Sequence, residues 1–147
     1  MNIEQAGTED VEGVARLFDL YRQFYSCAPD PDTARRFIGD RLAWGESTIF
    51  VARNDDGIVG FVQLYTSFCS VDAIKIMILY DLFVDPDVRG SGIGEALMNR
   101  ATGFARAEGA GRLDLLTDKD NLRAQGLYEK LGYARTLEDF YAYSLTV

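Results

Sequence analysis

The sequence predicts an α/β fold: a mixed, mostly antiparallel sheet of about six or seven strands flanked by helices on both faces, built by one domain over residues 1–147. Three observations predict it. Apolar stripes of helical period open the chain. Strand-like runs joined by polar turns follow, as in an antiparallel meander. A strand, a glycine-rich loop, a helix and another strand then succeed one another. That is the order of a right-handed crossover, which makes a parallel pair.

Met1–Ala6 reads as a short edge strand through Ile3. Thr8 is placed as an N-cap, with Glu9 and Asp10 in the first turn. Val11, Val14, Ala15, Phe18, Tyr21 and Tyr25 recur at helical spacing, and Leu17, Leu20 and Phe24 widen the stripe. This helix ends near Ser26, before Pro29 and Pro31. Asp32 or Thr33 caps a second helix running to about Trp44, with Phe37, Ile38 and Leu42 inward and Gly45 as its stop. Tyr21, Phe24, Tyr25 and Trp44 form an aromatic-rich region between the helices. Core is the ordinary reading of such rings, and one wall of a substrate pocket is the functional alternative.

Thr48–Arg53 has strand composition, and Asn54-Asp55-Asp56-Gly57 is a hairpin turn leading into Ile58–Tyr65. Gly60 inside that run marks a bulge. Thr66–Asp72 is a polar connection that either lines a site or joins strands. Ala73–Val84 is strongly apolar, as a central strand is. Ile93–Glu108 is helical, with Ile93, Ala96, Leu97, Ala101 and Phe104 on its buried face, and Gly109-Ala110-Gly111 ends it. Arg112–Thr117 is a short strand, parallel to the one ending at Val84. Asn121–Leu131 is a helix with Leu122, Leu127 and Leu131 on its apolar side and Gly132 just past its end. Tyr133–Leu137 and Phe140–Thr146 read as the last strands, turning at Glu138-Asp139.

Composition narrows the function. A chain of 147 residues, 48% hydrophobic and 26% charged, can bury a core of its own. Its net charge of −8 repels nucleic acid and anionic membranes and favours cationic partners, protonated amines among them. Acidity that serves solubility alone is the plain alternative. The chain has no histidine, so Ser-His-Asp and Cys-His hydrolases are excluded. Cys27 and Cys69 make neither a disulfide framework nor a zinc site, and no metal is expected. The absence of a long apolar run and of a secretory leader makes cytoplasmic the expected location.

The stretch from Leu79 to Phe104 organises the rest. Its loop, Arg89-Gly90-Ser91-Gly92-Ile93-Gly94, runs straight into a helix start. Glycines let a bulky ligand approach the backbone, and the free N–H groups and dipole of the helix start favour an anion. A Walker loop needs a lysine that is missing here, and a dinucleotide fingerprint fails because Glu95 holds its third glycine position. What remains, Arg89-x-x-Gly92-x-Gly94 after Val84-Asp85-Pro86, resembles the acetyl-CoA motif of the GNAT superfamily of N-acetyltransferases. A second motif is more specific. Asn121, Ala124, Leu127, Tyr128, Gly132 and Tyr133 resemble that family's N-x-x-A-x-x-L/F-Y-x-x-x-G-F/Y pattern at every named position. A looser likeness to diamine-type acetyltransferases lies in Tyr80-Asp81-Leu82-Phe83-Val84 and the aromatic first helix.

The resemblance implies a GNAT-like sheet whose parallel pair splays apart, with acetyl-CoA as cosubstrate. It implies that the pyrophosphate is held by Arg89, Gly90, Ser91, Gly92, Ile93, Gly94 and Glu95. The pantetheine arm is expected along the backbone of Leu82, Phe83 and Val84, with the Phe83 side chain on the other face, and against Asn121. A backbone amide exposed by a bulge near Leu82 would polarise the thioester carbonyl. Tyr128, near the sulfur, would protonate the leaving thiolate. The implied reaction is direct attack by a primary amine in a ternary complex. The acceptor is expected to be a small cationic amine. A protein or peptide amine and a silent acyl-CoA-binding module are the alternatives. A homodimer through Phe140-Tyr141-Ala142-Tyr143 is expected on the same grounds.

Asp81 stands in the central strand among Ile76, Ile78, Leu79, Leu82 and Val84. A carboxylate there is costly unless paired or hydrated. Either it faces the cleft, meets an ammonium group and relays its proton, or it accepts a nearby hydrogen bond and orders the strand.

Overall fold

The computed structural model describes residues 1–147. The chain divides into two compact units, Met1–Leu116 and Thr117–Val147.

The first unit holds a five-stranded sheet in the order β1-β2-β3-β4-β5. Its elements in chain order are β1 (Asn2–Gln5), α1 (Val11–Phe24), α2 (Pro31–Ala43), β2 (Thr48–Asn54), β3 (Gly57–Cys69), β4 (Ile74–Val84), α3 (Ile93–Ala107) and β5 (Arg112–Leu115). The first four strands pair antiparallel, and β5 joins β4 in parallel. The mixed sheet is as expected: α3 carries the chain across from β4 to a parallel β5, whereas β1 and β2, joined through α1 and α2, pair antiparallel.

Local chemistry sets the boundaries. The Asn54 side chain accepts from the Asp56 N–H at 2.9 Å and closes the β2–β3 hairpin. α2 starts earlier than the sequence suggests. Asp30, not Asp32 or Thr33, is its cap, accepting from the Thr33 N–H at 3.1 Å. Pro31 follows it because a first-turn residue needs no donor.

The sheet is covered on both faces. Successive β3 residues point opposite ways. Phe61 goes to one side with Val14, Leu17, Phe18, Ala34 and Ile38 of α1 and α2, and with Ile49, Val51 and Phe83 of the sheet. Gly60 goes to the other side, under α3. A Cβ there would stand 3.1 Å from Ile93 Cγ2 and 3.2 Å from Leu97 Cδ1, so this glycine lets α3 lie close. Phe50 meets Phe104 on that same face, ring centroids 5.3 Å apart.

Three further expectations are corrected. First, β3 runs on to Cys69 and pairs with β4 there, so Thr66–Cys69 is strand and the connection shrinks to the turn before Ile74. Second, Phe24, Tyr25 and Trp44 are exposed, Trp44 by 71%. They sit at or past the last residues of α1 and α2, beyond the stripes that meet the sheet. Third, the sheet has five strands, not six or seven.

That third difference lies in the second unit. Its regular element is α4 (Leu122–Lys130), and neither Tyr133–Leu137 nor Phe140–Thr146 forms a strand. Strand propensity measures fit to a half-buried pleated surface. Phe140, Tyr141, Tyr143 and Leu145 are all exposed, so the composition is present without the surface that would use it.

Candidate active site

A bulge in β4 creates the site. Gln63 pairs with Asp81 and the next β3 residue, Leu64, pairs with Leu79, so Tyr80 is an extra residue on β4. This lies at Tyr80, just before the expected position near Leu82. The insertion changes which residues face α1. Below it, Ile78 opposite Tyr65 shares that face; above it, Asp81 and Phe83 do. Consecutive residues Tyr80 and Asp81 therefore line the same cavity, which strict alternation forbids.

That cavity has a volume of about 360 Å³ and is lined by Phe18, Phe37, Tyr65, Tyr80 and Asp81. Asp81 is buried. Gln63, wholly buried beside it, donates through Nε2 to Asp81 Oδ2 at 2.6 Å. The Ser47 hydroxyl donates to Gln63 Oε1 at 2.7 Å. Because the Gln63 oxygen is engaged, its NH₂ must face Asp81. The Tyr21 hydroxyl stands against the Asp81 carboxylate and also reaches the carbonyl of Tyr80 at 3.3 Å. Its single proton serves one of them at a time.

Asp81 is thus met by neutral donors alone. Burial raises its pKa above the ordinary carboxylate value, and the bonds from Gln63 and Tyr21 offset part of the rise. Burial, and then the Asp81 charge, push the Tyr21 hydroxyl far above the usual tyrosine range and raise Tyr65 as well. A buried carboxylate met by no cation thus lines a ring-lined cavity.

The other side of β4 is open. β5 pairs with it over Ile76–Leu79 and no farther, so Tyr80–Val84 has no β5 neighbour. Leu82 and Val84 are half-buried there. Phe83 turns its ring into the core beside Tyr21, centroids 6.2 Å apart, so only its main chain can serve that edge.

The glycine loop follows β4. Gly90 and Gly92 have φ of 84° and 79°, a left-handed conformation that glycine adopts without strain. Gly92 is the N-cap of α3 and has no side chain to occupy the helix's free N–H groups. No atom lies within 4 Å of a Cβ built on either glycine, so space stands open in front of the loop. Ile93, Gly94 and Glu95 form the first turn of α3. Ser91 Oγ donates to the Val88 carbonyl at 2.7 Å and steadies the loop. Arg89 Nε donates to the Val84 carbonyl at 3.1 Å, with the guanidinium 5.4 Å from the Phe83 ring centroid. One donor of Arg89 therefore ties the loop to β4, and the fork has others to offer.

In the second unit, Asn121 caps α4, its side-chain oxygen accepting from the Ala124 N–H at 3.2 Å. That leaves its NH₂ as the side chain's remaining donor group. Tyr128 lies half-buried on α4, its ring centroid 6.0 Å from that of Tyr133. The Tyr133 N–H closes the helix end on the Tyr128 carbonyl at 3.0 Å, across Gly132.

Sequence reasoning missed Gln63, Tyr65, Phe18 and Phe37 as site residues. The signal for Gln63 was present: it is the polar residue in an apolar run, IVGFVQLY, whose partner strand holds Asp81. The two rings lay inside helical apolar stripes, where they resemble core.

Comparison with known proteins points to one family. The profile of the acetyltransferase (GNAT) family matches residues 14–133. The chain is 44% identical over 133 residues to the Bacillus subtilis protein named "Uncharacterized N-acetyltransferase YhfO", covering 90% of this chain and 89% of that one. It is 29% identical over 114 residues to a "Probable acetyltransferase" of Haemophilus influenzae, covering 77% and 78% of the two chains. A crystal structure of a probable acetyltransferase superposes with a TM-score of 0.89 at 35% identity, over 100% of this chain and 98% of that one.

Proposed function

The chain belongs to the acetyltransferase (GNAT) family, and from that premise we propose that it moves an acetyl group from acetyl-CoA to the primary amine of a small cationic acceptor. The observation that carries the acceptor is Asp81: a buried carboxylate, met by neutral donors, on the floor of an aromatic cavity.

Acetyl-CoA, the family's cosubstrate, supplies the acetyl group as an activated thioester. The residues present fit it. The positive-φ glycines leave open space before the uncapped N–H groups of α3, where a pyrophosphate fits. Arg89, Gly90, Ser91, Gly92, Ile93, Gly94 and Glu95 form that cradle. The backbone of Leu82, Phe83 and Val84, unpaired with β5, would hold the pantetheine amides as an added strand does. The Asn121 NH₂ would serve the same arm.

In the reaction, Asp81 receives the acceptor's ammonium and takes up one of its protons. A carboxylate with a raised pKa is a stronger base for this than an ordinary one. The amine lone pair then attacks the carbonyl carbon. The C–N bond forms, the C–S bond breaks, and Tyr128 gives its proton to the thiolate. The amide nitrogen sheds its second proton, which restores Tyr128, so one proton is released overall. A backbone N–H beside the Tyr80 bulge would polarise the carbonyl.

The test is release of free thiol from acetyl-CoA with a panel of small amines and a panel of peptides, for the wild type and Tyr128→Phe. Small amines are expected to turn over and peptides not. Losing the donor should cost about 10²–10⁴-fold in kcat. Exclusive turnover of peptides would refute the small acceptor. A near wild-type rate for Tyr128→Phe would remove that residue from the proton transfer.

A further inference from the structure

The cavity sets a single charge among rings. Asp81 is the one carboxylate among its lining residues, and the other four are aromatic. The rings come as two pairs. Phe18 and Phe37 of α1 and α2 stack with centroids 5.3 Å apart, and Tyr65 and Tyr80 of the sheet meet edge to face at 5.3 Å. A volume of about 360 Å³ lies near the small end of ligand pockets, roughly 300–1,000 Å³.

An ion pair, Arg41 with Glu46, stands beside the cavity. The Arg41 guanidinium lies 4.5 Å from the centroid of Phe37, itself a wall of the cavity. Glu46 is within 3.0 Å of Arg41 Nε, so that carboxylate already has its cation. Tyr65, on the opposite wall, feels both charges.

We infer that the acceptor is a primary amine bearing a single positive charge on an aromatic or compact apolar body, seated with its ammonium on Asp81, and that Arg41 turns away amines carrying a second charge. This rests on the acetyl-transfer reading above and narrows it. A monoamine places its one charge on Asp81 and its apolar body between the two ring pairs. A diamine or polyamine brings a further ammonium, and the cavity lining offers no second carboxylate to meet it. That charge must shed water among rings or lie beside a guanidinium. The rings do attract cations, but Arg41 already takes that position over Phe37. The loose sequence likeness to diamine-type enzymes is therefore not matched by the chemistry of the cavity.

Steady-state thiol release at saturating acetyl-CoA decides it, with 2-phenylethylamine and tyramine against putrescine and spermidine. The monoamines should exceed the diamine and polyamine in kcat/KM by at least about ten-fold, the factor that 1.4 kcal/mol of unmet charge represents. Arg41→Gln removes the rim cation and releases Glu46. It should narrow that ratio by raising putrescine turnover, with 2-phenylethylamine little changed. Equal or better turnover of putrescine by the wild type overturns the inference and leaves acetyl transfer to a cationic amine standing. An unmoved ratio in Arg41→Gln overturns the role of Arg41. Binding of acetyl-CoA by calorimetry with no turnover of any amine overturns the underlying reading, and this inference with it.

Discussion

The glycine loop after β4 and the cavity at Asp81 are built from opposite materials. The loop is main chain: two glycines of positive φ, an uncapped helix start and exposed surface. The cavity is side chain: four rings, one carboxylate and a buried amide that positions it. A loop of backbone donors suits a ligand part that never varies, since N–H groups read charge and shape without distinguishing what is attached. Side chains suit the part that differs between enzymes of one fold, because they can change while the strands stay put. The two sites share β4, whose bulge orients one and whose unpaired edge leads to the other. Variants should nevertheless separate them.

The largest separation is expected from Asp81→Asn, which keeps shape and removes charge. A hydrogen bond to a charged group contributes about 1.5–3 kcal/mol, so the KM for amine should rise by roughly 10–100-fold. Affinity for acetyl-CoA, measured by calorimetry, should stay put. The pH–rate profile should lose its acidic limb. Equal losses at both ligands would mean that the substitution disturbs β4 itself and that the sites are not independent.

Gly92→Val reverses the pattern and has a smaller expected effect. A side chain at φ 79° is strained whatever the space around it. A left-handed L-residue costs about 1–2 kcal/mol, so the loop either carries that strain or leaves its conformation. Affinity for acetyl-CoA should fall by about ten-fold, with the KM for amine unmoved. Unchanged acetyl-CoA affinity in calorimetry would remove the loop from phosphate binding.

The same contrast explains what was legible in the sequence. Backbone recognition announces itself, because only glycine tolerates positive φ and the spacing is local: Gly90, Gly92 and the start of α3 lie within a few residues. The meander, the crossover and the faces of α1 and α3 were legible for the same reason, each resting on a short-range period, whereas Leu122, expected on the apolar side of α4, is exposed. Asp81 was legible as an anomaly, a charge in an apolar run. Its surroundings were not. Phe18, Phe37, Tyr65 and Tyr80 come from four elements and meet only through tertiary packing. The bulge that brings Tyr80 and Asp81 to one cavity has no glycine or proline to mark it in Leu79-Tyr80-Asp81. The last strands failed conversely. Tyr133–Leu137 and Phe140–Thr146 have the composition of strands, and composition does not supply a neighbour.

The smallest expected effect bears on whether Asp81 belongs to function or to the fold, and its sign discriminates. Burial raises the Asp81 pKa above its ordinary 3.8, so the folded protein holds that proton more tightly than the unfolded chain. The stability linked to it is present below the ordinary value and is lost as pH rises through the raised one. Once ionised, the carboxylate therefore weakens the fold. Asp81→Asn resembles the protonated form at every pH, and its carbonyl still accepts from Gln63 and Tyr21. The variant should melt higher than the wild type at pH 7, and the difference should close as pH falls towards 3.8. A bound monoamine should narrow it from the other side, by pairing the wild-type charge and raising the wild-type Tm alone. Thermal scans from pH 4 to pH 8, with and without 2-phenylethylamine, measure both arms. A variant that melts lower than the wild type at pH 7 while keeping its kinetic constants would assign the carboxylate to the strand, and the acceptor's anchor would have to lie elsewhere.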